Sequence, residues 1–313
     1  MTQAPRAAVV GLSGPALTAE EAALLARLPP AGVILFRRNV ETPAQLRALT
    51  DAVRDLLGPE APILVDQEGG RVARLRPPFW PEFPPAASFE HGPAEAARAA
   101  AGAMGAMALA AGIDTICAPV LDLRLAGMHA VIGDRAFSAD PAEVARLGRA
   151  WAEGLLAAGC APIMKHIPGH GRALADSHLD LPVVAAPAEA LADDLAPFQA
   201  LAGTIPWAMT AHIVYPAWDD HLCATLSPRI IGGIIRGEVG FDGVLVSDDL
   251  TMKALAGEAC DLAEAALAAG CDLVLHCSGV FAETAALLAG CPALTGRAQA
   301  RMAAARGMIG ASA

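Results

Sequence analysis

Three phrases of one form, Ala111-Gly112-Ile113-Asp114, Ala158-Gly159-Cys160-Ala161 and Ala269-Gly270-Cys271-Asp272, constrain this chain more than anything else in it. Each follows a segment of helical period and precedes a short apolar run. Each also puts glycine where a left-handed C-terminal cap would close a helix. Three matching helix-to-strand joints predict a repeated β/α unit. Eight runs read as buried strands: Ala8–Leu12, Val33–Phe36, Ile63–Val65, Thr115–Val120, Ile163–Met164, Ala208–Ile213, Val244–Val246 and Leu273–Leu275. Helix starts agree, because Thr18 with Glu21 has capping-box spacing, and Thr42-Pro43 and Asp140-Pro141 each set an N-cap residue before a first-turn proline. Such units, with no linker between them, predict an α/β fold: a (β/α)8 TIM-type barrel as one domain over residues 1–313. A doubly wound open sheet is the alternative.

A barrel gathers its chemistry at the C-terminal ends of its strands. Polar residues stand there: Asp66, Lys165-His166, His212, Asp248-Asp249 and His276. The loops after the third, fourth and fifth strands are long and rich in Pro, Gly, Arg and His, as a pocket would need.

Composition excludes several partners. Acidic residues outnumber basic ones 33 to 22, for a net charge of −11, and the basic residues are scattered, so nucleic acid is not expected to bind. The seven cysteines show neither metal-type paired spacing nor a disulfide framework, and read as small core residues in a reducing compartment. The N-terminal run is too short and weakly charged for a secretory signal. The longest uncharged stretch, Ala99–Ile113, falls short of the roughly 20 residues a membrane span needs. The expectation is a cytoplasmic monomer off the membrane.

The loop Lys165-His166-Ile167-Pro168-Gly169-His170-Gly171, followed by Asp176-Ser177-His178, concentrates titratable groups where proline and glycine forbid regular structure. Lys165, His166 and His170 can bind the hydroxyls or anionic groups of a ligand. Lys165 can also be read as a Schiff-base lysine, and His166, His170 and His178 as a metal site. The cationic Lys165 and the lack of a His-x-His pair after the first strand weigh against metal. Asp176 can orient His178 as a general acid, or the triplet can be a simple turn. Asp248, emerging from Val244-Leu245-Val246-Ser247, can serve as nucleophile, base or metal ligand, or can cap the next helix. Asp249 should point away from it, because side chains alternate along an extended chain. The run Asp66-Gln67-Glu68-Gly69-Gly70-Arg71 with Arg74, and Asp134-Arg135, read as a carboxylate-and-arginine grip on a polyol, or as a solvated ion-pair network.

These motifs in this order, with Ile132-Gly133-Asp134-Arg135 and Ser247-Asp248-Asp249-Leu250-Thr251-Met252, closely resemble glycoside hydrolase family 3. More narrowly, they resemble its single-domain bacterial β-N-acetylhexosaminidases of peptidoglycan recycling. The resemblance implies a retaining hydrolase with no cofactor. Asp248 would be the nucleophile, His178 the acid/base with Asp176 as its partner, and Asp66, Arg74, Arg135, Lys165 and His166 the grip on a terminal N-acetylglucosamine. Relatives that cut glucosides often take their acid from a second domain, and here the Asp176–His178 loop is expected to supply it and to close over substrate. Ile167 stands where relatives commonly carry an aromatic, and Cys223 interrupts the segment Trp218–Ser227.

Overall fold

The computed structural model describes residues 4–127, 129–174 and 180–310; Asp176 and His178 lie outside them. The first six strands, β1 (Arg6–Gly11), β2 (Pro30–Leu35), β3 (Ile63–Val65), β4 (Thr115–Ile116), β5 (Ala161–Ile167) and β6 (Trp207–Thr210), are followed by a small antiparallel hairpin, β7 (Val214–Tyr215) and β8 (Asp219–Cys223). β9 (Val244–Asp249) and β10 (Leu273–His276) complete a closed barrel in which all eight neighbouring pairs are parallel. Every residue of β2, β3, β5 and β10 is buried, which is why these runs are apolar without alternation up to the polar residues at their C-terminal ends, Lys165 and His166 in β5 and His276 in β10. The closed barrel excludes the open sheet.

Helices α1 (Ala19–Arg27), α2 (Pro43–Leu57), α3 (Ala94–Ala110), α4 (Pro141–Ala157), α5 (Ala188–Leu201), α6 (Ala259–Ala269), α7 (Phe281–Gly290) and α8 (Gly296–Gly310) flank the strands, with a π-helical segment at Ile230–Glu238. The Thr18 hydroxyl accepts from the Glu21 amide at 3.1 Å while the Glu21 carboxylate accepts from the Thr18 amide at 3.0 Å. Thr42 and Asp140 cap α2 and α4 as their spacing predicts. The alanine- and glycine-rich stretch falls in α3 and serves close helix packing: a Cβ on Gly154 of α4 would lie 2.3 Å from the Arg98 carbonyl oxygen. Among the described residues no helix is long and apolar enough to cross a membrane.

Two strands differ from expectation. The fourth stops at Ile116; the Ala118 and Pro119 carbonyls still accept from the Ile163 and Lys165 amides at 3.0 and 3.1 Å, and regular pairing returns at Val120 opposite Lys165. The sixth stops at Thr210; the Ala211 amide still donates to the Ile167 carbonyl at 2.9 Å, and the Thr210 hydroxyl meets that of Thr225 beyond the hairpin.

The three joints behave alike. Gly112, Gly159 and Gly270 have φ of +81°, +88° and +119°, conformations that side chains rarely adopt. Where aspartate follows, it caps the neighbouring strand at the N-terminal end of the barrel. Asp114 accepts the Ile63 amide at 2.9 Å and Arg54 at 2.7 Å; Asp272 accepts the Leu245 amide at 2.9 Å, Arg236 at 2.8 Å and Arg301 at 3.0 Å. Asp272→Ala would strand the buried Leu245 amide and take a carboxylate from Arg236 and Arg301, which keep the Phe241 and Gly243 carbonyls and Asp242 as their remaining partners. We expect it to cost about 2–4 kcal/mol in urea unfolding while kcat/KM stays within about twofold, since this end is remote from the cavity.

Candidate active site

At the C-terminal rim a cavity of about 380 Å³ is lined by Asp66, Glu68, Arg71, Arg74, Arg135, Lys165, His166, Asp248 and Asp249, with Ile34, Phe36, Val72, Val131, Met209, Met252, Leu275 and Cys277 as its apolar surface. Six side chains singled out from the sequence therefore meet in one place: Asp66, Arg74, Arg135, Lys165, His166 and Asp248. His170 does not line the cavity; it is buried, its ring 5.5 Å from that of His166. Its neighbour Gly171 packs so closely on the loop after β4 that a Cβ would lie 2.2 Å from the Leu123 carbonyl oxygen.

One wall is a chain of charges. Lys165 Nζ lies 3.0 Å from Asp66 and 2.6 Å from Glu68. Arg74 donates to the second Asp66 oxygen at 2.8 Å, with its guanidinium over the Phe36 ring. Arg135 holds Glu68 by two bonds of 2.8 and 2.9 Å. Burial by itself would raise both acids. Lys165 and Arg74 overcome it at Asp66 and hold that carboxyl far below its ordinary range, and Arg135 with Lys165 brings Glu68 down to about 2. Arg71 binds Asp134 at 2.9 Å and the carbonyls of Ala130, Val131 and Ile132, tying the loop that carries Arg135 to the loop after β3.

The opposite wall carries Asp248, partly open to the cavity. Burial would raise its carboxyl, but His166, the Asp249 amide, which donates at 2.8 Å, and Lys165 bring it below the usual value. Its backbone is mounted by a run of hydrogen bonds with a single proton order. The Asp248 amide donates to Thr210 Oγ1 at 3.3 Å. Thr210 and Thr225 hydroxyls are 2.7 Å apart, Thr225 Oγ1 is 2.7 Å from His212 Nδ1, and His212 Nε2 is 3.0 Å from the Asp249 carbonyl. A carbonyl only accepts, so His212 carries its proton on Nε2; burial keeps the ring neutral, and Nδ1 must accept from Thr225. Thr225 Oγ1 also lies 3.1 Å from the Ala211 carbonyl, but its one hydrogen serves the shorter contact. The Asp249 carboxylate is engaged elsewhere, accepting from the Thr251 and Cys277 amides, both at 3.0 Å.

Asp122, Thr210 and Thr225 carry no mark in the sequence reading, where Glu68 stands only inside the run read as a grip and His212 only as a polar residue at a strand end. Asp122 had a usable signal, since it lies just past the fourth strand, where polar residues mark a barrel rim. The described residues contain no group of three His, Cys, Asp or Glu placed to hold a metal ion, and His178 is not among them.

Burial lowers His170, His212 and His276, His170 to about 4. A histidine lowered in the folded state contributes stability that is present above its unfolded pKa and declines as pH falls toward its folded one. Stability should therefore fall between about pH 6.5 and 4, and His170→Gln should remove as much as about 3 kcal/mol of that decline in urea titrations at stepped pH. An unchanged slope would contradict this burial effect.

Fold and cavity define the class, a (β/α)8 barrel with a polar pocket at its C-terminal rim. The family model of the glycosyl hydrolase family 3 N terminal domain matches residues 5–306. Among similar proteins, the β-hexosaminidase of Alkalilimnicola ehrlichii is 47% identical over 89% of this chain and 82% of its own, and that of Pseudomonas aeruginosa 42% identical over 90% and 85%. Among solved structures, NagZ from Neisseria gonorrhoeae in complex with N-trifluoroacetyl-D-glucosamine superposes with a TM-score of 0.83 at 33% identity, covering 98% of both chains. A family 3 β-N-acetylglucosaminidase from Paenibacillus sp. gives 0.87 at 34%, over 98% of this chain and 62% of that longer one. The chain belongs to glycosyl hydrolase family 3 and is a glycoside hydrolase.

Proposed function

We propose that the chain is a retaining exo-β-N-acetylglucosaminidase, a cytoplasmic monomer needing no cofactor, that removes terminal non-reducing GlcNAc from GlcNAc-1,6-anhydro-muramyl peptides during cell-wall recycling. The observation that carries the reading is the pairing, across one cavity, of an ionised carboxylate with a fixed array of donors and acceptors suited to hydroxyl groups. The two solved relatives, one a β-N-acetylglucosaminidase and one holding an N-acylglucosamine, support the sugar.

In this reading Asp66, Arg74, Lys165, His166 and Arg135 hold the terminal sugar. Asp248 attacks the anomeric carbon, its Oδ–C1 bond forming as the glycosidic C1–O bond breaks. His178, oriented by Asp176, gives its proton to the leaving oxygen and then takes one from the water that hydrolyses the glycosyl-enzyme. The grip needs no rearrangement to meet the substrate, because its cations already hold their carboxylates in place.

The test is a panel of chromogenic β-GlcNAc, β-GalNAc, β-glucoside and β-xyloside substrates, with and without EDTA. Turnover of β-GlcNAc unaffected by EDTA is expected. Turnover of the glucoside alone, or loss of activity with the chelator, would overturn the assignment.

A further inference from the structure

We propose that Asp122 is a positioning residue that acts through His166, fixing which ring nitrogen that histidine turns to the substrate. The inference rests on the reading of His166 as a sugar-binding side chain and extends it to a residue outside the cavity.

Asp122 lies on the chain after β4, and its side chain is fully buried. One oxygen, Oδ2, lies 2.7 Å from His166 Nδ1. The other, Oδ1, accepts two backbone amides, from His166 at 3.2 Å and from His170 at 2.6 Å. No atom of Asp122 lines the cavity, whereas His166 does. An ionised carboxylate only accepts, so His166 must carry a hydrogen on Nδ1. Burial would raise the Asp122 carboxyl, but His166, His170 and its amide bond hold it below the ordinary value, consistent with that assignment. The ring nitrogen left to the cavity is Nε2, the atom a sugar hydroxyl would meet.

The two amides on Oδ1 make the arrangement sensitive to a one-atom change. In Asp122→Asn the amide oxygen has to stay on the Oδ1 side, because an NH2 group there would face two N–H donors. The NH2 group then faces His166 Nδ1, which must give up its hydrogen and accept. The ring hydrogen moves to Nε2, and the group presented to the substrate is reversed at nearly constant shape. Swapping the orienting carboxylate for its amide is known to act through the tautomer in other histidine sites.

The experiment combines histidine 15N NMR with kinetics on a chromogenic β-GlcNAc glycoside. In the wild type, His166 should show a protonated Nδ1; a wild-type ring protonated on Nε2 alone overturns the proposal whether or not any variant folds. In Asp122→Asn the hydrogen should appear on Nε2, and kcat/KM should fall about 30- to 100-fold, mostly through KM, as expected for one misdirected hydrogen bond to a polar ligand. In a His166→Ala background the same substitution should change kcat/KM by less than about threefold, because its route of action is gone. An equal loss in both backgrounds would mean that Asp122 serves only the His170 amide and the loop, and would overturn the proposal. The NMR arm does not depend on turnover, so a wild type inactive on β-GlcNAc would count against the functional reading alone.

Discussion

Asp248→Asn will lower kcat on a β-GlcNAc aryl glycoside by about 10⁴-fold or more while leaving the unfolding midpoint close to wild type. The neutral amide keeps the shape of the side chain and can still accept from the Asp249 amide, so the mount built from Thr210, Thr225 and His212 should stand. What disappears is the negative oxygen that would form the bond to the anomeric carbon. Mass spectrometry of intact protein mixed with a slow substrate separates this from a merely electrostatic role. The wild type should gain the mass of one sugar residue and the variant should gain nothing. An adduct on the variant, or a loss smaller than about 100-fold, would remove Asp248 from the role of nucleophile.

Glu68→Ala will be the most destabilising single change on the cavity wall. Arg135 and Lys165 are largely buried, with side chains 10% and 3% exposed, and Glu68 takes two bonds from the first and one from the second. Lys165 would retain Asp66, but Arg135 would be left as a buried cation without its carboxylate. Removing one partner from such a buried pair costs about 3–5 kcal/mol, read here from urea unfolding, and KM should rise as both grip residues lose their orientation. Glu68→Gln keeps an acceptor and should cost less. The pH dependence has a definite sign. Burial opposes the charge on Glu68, and Arg135 and Lys165 more than compensate, taking its pKa to about 2. A carboxyl lowered in the folded state contributes stability above its unfolded value near 4.5 that is lost as pH falls toward 2, so the glutamine variant should show a flatter acid limb across that window. A loss below about 1 kcal/mol in the alanine variant would show that the wall does not depend on Glu68.

The barrel was legible because its signals are local. A cap spans three residues, a strand run about five, and a joint four, so Thr18, Thr42, Asp140 and the three glycines could be read without knowing what they pack against. The rim positions followed from one rule, that polar residues just past apolar runs face a pocket; Asp66, Lys165, His166, Asp248 and Asp249 do line it, whereas His212 and His276, marked by the same rule, are buried outside it. Pairings were not legible for the opposite reason. Glu68 meets Arg135 across 67 positions and Asp122 meets His166 across 44, separations at which no spacing rule links two residues. His170 illustrates the limit of the rim rule: a loop residue beside a cavity can point into the core, and only the position of Asp122 and of the neighbouring ring decides.

The two walls of the cavity are built by different parts of the barrel. The charge chain draws on β3, the loop before α4 and β5, whereas the run of hydrogen bonds that begins at the Asp248 amide and ends at the Asp249 carbonyl uses β6, the segment after β8, and β9. That run is a closed ring with one direction of donation, anchored at both ends on the same stretch of backbone. It shares no hydrogen bond with the charge chain among the described residues. The backbone mount is therefore modular: substitutions that retune which sugar is held can accumulate on one side of the barrel without breaking the bonds that place Asp248, although those that change the charge of Lys165 or His166 would also be felt by its carboxyl.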